Sequence, residues 1–78
     1  MKDMVSLPVK FDKVESVEEF VNMVNRLDYD VDLKVGSCIF DAKSLMSVLM
    51  VAGNPDARIE AHTNDVEAFK KKFVNYLQ

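Results

Sequence analysis

The chain has 78 residues, 49% of them hydrophobic, and its 13 acidic and 10 basic side chains leave a net charge of −3. That length predicts one domain over residues 1–78, and the composition is that of a globular protein, which excludes a disordered chain. The mild acidity argues against a dedicated nucleic-acid binder, and no apolar run approaches the roughly 20 residues needed to cross a bilayer.

Val5, Leu7, Val9 and Phe11 alternate with Ser6, Pro8 and Lys10. A period of two predicts a strand with one buried face. Pro8 removes a ladder donor and places that strand at a sheet edge. Ser16 and Glu19 have capping-box spacing, and Val17, Phe20, Val21, Val24 and Leu27 follow at helical spacing, so a helix is expected from about 17 to 27. Residues 31–35, VDLKV, alternate again. Gly36-Ser37 then leads into Cys38, Ile39 and Phe40, and a two-residue loop with glycine first suits a type II′ hairpin.

A short helix is expected from about 43 to 52, stopped by Gly53-Asn54-Pro55-Asp56. Residues 57–62 read as a fourth strand, with Ala57, Ile59 and Ala61 inward and Arg58, Glu60 and His62 outward. Asn64 and Glu67 offer a second capping pair. A last helix follows, with Val66, Phe69, Phe73 and Leu77 as its apolar stripe and Lys70, Lys71 and Lys72 largely on the other side. The order β-α-β-β-α-β-α, with short strands and singly striped helices, predicts a two-layer α+β sandwich.

Little in the chain promises chemistry. The single cysteine, Cys38, cannot form an internal disulfide, so a reduced, cytoplasmic setting is expected and a small strand residue is the favoured reading of it. The start, MKDMVSLPVK, has neither an apolar signal core nor a cleavage site. Asp28, Asp30 and Asp32 open like a calcium loop, but Leu33 and Ile39 stand where that loop needs glycine and glutamate, so a turn and a solvated strand face are expected. There is no glycine-rich phosphate cradle, CxxC, HExxH or Ser-His-Asp set. No metal or cofactor is expected, and no enzymatic activity.

The short-helix segment is the informative one. Lys43-Ser44-Leu45-Met46-Ser47-Val48-Leu49 resembles the Lys-Ser-Ile-Met-Gly-Val-Met run of Gram-positive HPr, the small phosphocarrier of the bacterial sugar phosphotransferase system. Element order and length agree over nearly the whole chain. The resemblance implies an open-faced sandwich, with a four-stranded antiparallel sheet in the order 1-4-2-3 and three helices on one face. In that family a histidine and an arginine at the start of the first helix accept and clamp a phosphoryl group. Aligned without gaps from the Lys-Ser motif, Lys13 stands at the histidine position, Glu15 at the arginine position and Ser16 at the following proline position. An ammonium has no lone pair with which to attack phosphorus, and a carboxylate repels phosphate. Histidine phosphocarrier activity is therefore expected to be absent. The one histidine, His62, lies far along the chain.

Two readings of Ser44 stand. It is an N-cap for the short helix, or it is the serine whose counterpart in Gram-positive HPr is phosphorylated by a kinase. The helix itself is too apolar for one buried stripe. With Val48, Val51 and Ala52 inward, Leu45, Met46 and Leu49 face largely to solvent with Met50 beside them, and the family uses the matching positions to dock partners. The expected role is a regulatory protein-binding module whose partner is a transcriptional regulator or a phosphotransferase component. The rivals are a domain that self-associates through the short helix and a small acylphosphatase-like enzyme. The second needs an arginine and an asparagine that the segment FDKVES lacks.

Overall fold

The computed structural model describes residues 4–78; the first three residues of the MKDMVSLPVK start lie outside them. Four strands, β1 (Val5–Pro8), β2 (Val31–Val35), β3 (Cys38–Asp41) and β4 (Arg58–Ala61), form one antiparallel sheet in the order β1-β4-β2-β3. Helices α1 (Val14–Asn25), α2 (Leu45–Val51) and α3 (Val66–Lys72) cover one face, and a 3-10 turn, η1 (Val74–Tyr76), follows α3. The fold is the α+β open-faced sandwich expected, with β1 at an edge as Pro8 requires.

Strands β1, β2 and β4 contribute alternate residues to the core, and β3 only the half-buried Phe40. Val5, Val31, Leu33, Ile59 and Ala61, with Val9 just after β1, are buried toward the helices. The opposite face is polar: Lys34 pairs with Glu60 at 3.9 Å, and Arg58 Nε donates to Ser6 Oγ at 3.2 Å. Asp32 sits on this face with His62, as the solvated-strand reading of the aspartates anticipates. At the hairpin, Gly36 has φ +60° and no other described residue has positive φ, which matches a type II′ turn.

The helix side is held together by rings. Phe20 of α1, with no exposed surface, meets Phe11, Phe73 and Tyr76 edge-on at centroid distances of 5.0, 5.6 and 5.5 Å. Edge-to-face pairs at these spacings add about 0.5–1.5 kcal/mol each beyond burial. They tie α1 to the exit of β1 and to the C-terminal turn.

Local boundaries differ from expectation in three places. α1 starts at Val14, not at residue 17, and Ser16 and Glu19 make no capping box. Lys13, in extended conformation, is the N-cap without a side-chain bond, and its carbonyl accepts from Ser16 and Val17 at 3.0 and 3.4 Å. Ser16 is thus inside the first turn, where its hydroxyl has no orphan amide to cap, and Glu19 turns instead to the Tyr76 hydroxyl at 3.4 Å. α3 is capped by Asp65, one residue after Asn64: Asp65 accepts from the Ala68 amide at 3.2 Å, and Thr63 Oγ1 accepts from the Asp65 amide. The last stripe also fails at both ends. Val66 is 38% exposed, and Leu77 is off the helix, bridging to Val9, because the chain tightens into η1 and buries Tyr76 instead.

Burial, followed by the neighbouring Glu19 charge and its hydrogen bond, raises the pKa of Tyr76 above the ordinary phenol value of 10.0. The folded state therefore favours the neutral phenol. Its contribution is fully present below the ordinary value and is lost as pH rises through the higher folded one. Tyr76→Phe has no proton to lose, so urea melts of this variant should show a shallower loss of stability between about pH 9 and 11 than wild type.

Candidate functional site

The site expected on α2 is assembled by short-range polar contacts and one link to α1. Leaving β3, Asp41 accepts through Oδ1 from the Lys43 amide at 2.9 Å and through its carbonyl from the Ser44 amide at 3.2 Å. Ser44 is in extended conformation, and its Oγ accepts from the Ser47 amide at 3.4 Å. Ser44 is thus the N-cap of α2, with a long capping bond. Asn25, at the end of α1, donates from Nδ2 to the Val21 carbonyl at 2.8 Å and to the Lys43 carbonyl at 3.0 Å, which pins the start of α2 to the end of α1.

From that anchored start, about two helical turns separate α2, seven residues long, into faces. Val48 and Val51 are buried against the sheet. Leu45 and Leu49 are 40% and 45% exposed, and Met46 and Met50 are 77% and 74% exposed. The inner and outer sets are those expected, and Met50 belongs with the outer one. α2 carries no charged side chain, and none occurs between Lys43 and Asp56. Leu45, Met46, Leu49 and Met50 therefore form one exposed, uncharged apolar cluster.

The structure brings the start of α1 to the same place. A pocket of about 240 Å³ is walled by Phe11, Lys13 and Val14 on one side and by Leu49, Ala52 and Gly53 on the other. A second depression lies between Leu45 and Glu18, Val21 and Asn22 of α1. Lys13 and Leu49, 36 positions apart, thus line one groove. Val14, 62% exposed, extends the apolar surface across it. Sequence reasoning missed Val14 because it placed the helix start three residues late. The available signal was its spacing four residues before Glu18, along the side of α1 that faces α2.

Glu15 is exposed in the first turn of α1 and does not line the pocket. A carboxylate there complements the positive end of the helix dipole. It supplies from within the chain the negative charge that a helix N-terminus otherwise draws from a bound anion. His62 is placed elsewhere. It follows β4, its amide donates to the Asp30 carbonyl at 2.9 Å, and its Nε2 lies 3.2 Å from Asp32 Oδ2. Asp30 comes after α1, so His62 sits near that helix's C-terminal end, while Lys13 is at its N-terminus, a helix length of about 18 Å away. Cys38 is an exposed strand residue. Among the described residues, no cluster of His, Cys, Asp and Glu is arranged to hold a metal ion, and no helix is long and apolar enough to cross a membrane.

The sequence matches no family model and no curated protein. Solved structures do match. A phosphocarrier protein HPr from Bacillus anthracis str. Ames aligns at 20% identity and a TM-score of 0.70, over 96% of this chain and 95% of that one. HPr-C-His from Thermoanaerobacter tengcongensis aligns at 17% identity and a TM-score of 0.66, over 94% and 88%. A histidine-containing phosphocarrier protein of Mycoplasma aligns at 14% identity and a TM-score of 0.63, over 92% of each chain. At these identities the likeness establishes the HPr fold, and function rests on the residues themselves.

The division of α2 into faces has a direct test. Val48→Asp buries an unpaired carboxylate, at a cost of several kcal/mol, on the order of the whole stability of a small domain. Leu49→Asp leaves its carboxylate in water. Circular dichroism should show Val48→Asp unfolded and Leu49→Asp folded, with a melting temperature within a few degrees of wild type.

Proposed function

We propose that this chain is a non-enzymatic protein-binding module, related to the phosphotransferase-system phosphocarriers but without histidine phosphocarrier activity. It acts in the bacterial cytoplasm by docking a protein partner on the outward face of α2. The observation that carries this reading is the uncharged patch of Leu45, Met46, Leu49 and Met50 beside the groove walled by Lys13 and Val14. Methionine suits such a role, because its flexible thioether adapts to different partner surfaces. The partner in this reading is a phosphotransferase component or a transcriptional regulator; the likeness to solved phosphocarriers supports the link to the phosphotransferase system.

The loss of phosphocarrier chemistry is supported by what stands at the start of α1. Lys13 has no acceptor atom, Glu15 is anionic, and His62 is beside Asp32 at the other end of that helix. Incubation with phosphoenolpyruvate and a purified enzyme I should leave the chain unlabelled. An acid-labile phosphate on His62 would overturn this part of the reading.

Ser44 is the switch in this reading. A phosphate there would bring a charge of about −1.5 to −2 to the border of the patch. The start of α2 tolerates an anion, since the dipole and the remaining amides favour it by roughly 0.3–1 kcal/mol, and Lys43 is adjacent. Ser44→Asp should therefore melt within a few degrees of wild type while changing affinity for the partner, measured by titration of purified phosphotransferase components and regulator. Leu49→Asp should weaken the same binding. Equal affinities for wild type, Ser44→Asp and Leu49→Asp would sink the proposal.

A further inference from the structure

We infer that a second copy of this chain pairs with the outer edge of β3, joining two four-stranded sheets antiparallel across a twofold axis. The two edges of the sheet are treated differently. On β1, Pro8 removes a donor, Arg58 Nη2 donates to the Ser6 carbonyl at 3.0 Å, and the C-terminal segment covers the end of the strand: the Gln78 amide donates to the Pro8 carbonyl at 3.2 Å and the Lys10 amide to the Tyr76 carbonyl at 2.8 Å. Gln78 Nε2 also donates to the Val9 carbonyl at 3.0 Å. β3 has no such cover. It contains no proline, no lysine and no bulge, and on its outer side, among the described residues, only the carbonyl of its last residue is taken, Asp41 accepting from the Ser44 amide at 3.2 Å; the main-chain groups of Ile39 have no partner.

The direction of its main-chain groups follows from the observed ladder. The Ala42 amide donates to the Val31 carbonyl at 3.1 Å. Hydrogen-bonded pairs in an antiparallel ladder recur at every second residue, so Leu33–Phe40 and Val35–Cys38 are bonded. Ile39, between them, turns its N–H and C=O away from β2. Its side chain is 61% exposed and points to the open face of the sheet, beside Lys34 and on the same surface as Glu60, Arg58 and Asp32.

The edge is complementary to itself. With Ile39 opposite the second copy's Ile39, the two residues exchange N–H···O=C bonds and their side chains cover each other on the open face. Cys38 then faces Phe40 of the second copy on the helix side. Asp41 faces Ser37, so no like charges are opposed. α2 packs on β3 and β2 from the helix side, which leaves the outer edge of β3 open. Unpaired, apolar edges are the kind that proteins otherwise block. The contact is smaller than a standard interface of about 1,600 Å², so the dimer is a weak one, formed at high protein concentration. This inference is independent of the docking role given to Leu45, Met46 and Leu49.

Sedimentation equilibrium of the reduced protein, carried up to about 1 mM, should show a monomer–dimer equilibrium. Ile39→Lys should raise the dissociation constant at least ~tenfold, while Leu49→Asp should leave it within about twofold. Ile39 is exposed, so Ile39→Lys keeps the fold by circular dichroism; Ile39→Ser is the milder second variant and should also weaken the dimer. In the proposed register the two Cys38 residues stand diagonally, about 7–8 Å apart, so a short bismaleimide should link them in the wild type and not in Ile39→Lys. A wild type that stays monomeric to about 1 mM overturns the inference and leaves this edge to a strand from another protein. A dimer that survives both Ile39 substitutions, or that is broken by Leu49→Asp instead, overturns it in favour of association through α2.

Discussion

Phe20 is the contact on which the arrangement of the helix layer depends. It is fully buried and meets rings from three separate parts of the chain: the exit of β1, the end of α3 and the C-terminal turn. With Phe20 turned toward those rings, the side of α1 carrying Val14, Glu18 and Asn22 lies toward α2. That rotation makes the groove. Were α1 turned by one residue, about 100°, Val14 would leave Leu49 and Asn25 would no longer reach the Lys43 carbonyl. The surface proposed for docking is thus a product of core packing at a ring cluster, of which Phe11 reaches the groove.

The strands and the inner stripes were legible in the sequence because a period of two or 3.6 is enforced by burial over several residues at once. Val5, Leu7 and Val9 or Val17, Phe20, Val21 and Val24 cannot be shifted without moving the whole set to the wrong face. Pro8 gave the edge for a separate reason, the missing donor. The helix ends were less legible. Ser16 with Glu19 and Asn64 with Glu67 both have the right spacing for a capping box, yet neither makes one. A cap is decided by where the extended segment before it leaves the core, and a spacing rule does not contain that. Phe11 packing on Phe20 delivers the chain to Val14 in helical register, so Ser16 arrives too late to cap. Thr63 and Asp65 form their own local set, so Asn64 is passed over.

Leu77 and Tyr76 show the same limit from the other end. A stripe spaced Phe69, Phe73, Leu77 is a sound helical pattern, but the C-terminal residues also have to cover the β1 edge. The tightening into η1 moves Tyr76 into the core and Leu77 onto Val9. Long-range pairing here overrides a local period. For the candidate site the outcome is similar. Which residues of α2 face out was readable from a helix of known start, since Val48 and Val51 fix the inner side. That Lys13 and Val14 complete the surface was not, because it depends on the rotation of α1.

The start of α1 also separates two things that a phosphocarrier fold joins. Its position is set by Phe11, Val17 and Phe20, apolar groups packed on the core. Its chemistry would be set by residues 12–15, all exposed and none with a side-chain hydrogen bond in the first turn. Substitution at those exposed positions costs little stability, usually within about 0.5 kcal/mol. Lys13 and Glu15 can therefore stand there with the backbone of the fold intact. Position and function are specified by different atoms, and the fold persists when the second set changes. On α2 the two are not separable in this way. Leu45 and Leu49 are half in the groove and half in solvent, so the same side chains that close the gap to α1 form the exposed surface. A substitution at either leucine therefore alters the packing against α1 and the exposed surface together, whereas residues 12–15 can change with the packing of α1 intact.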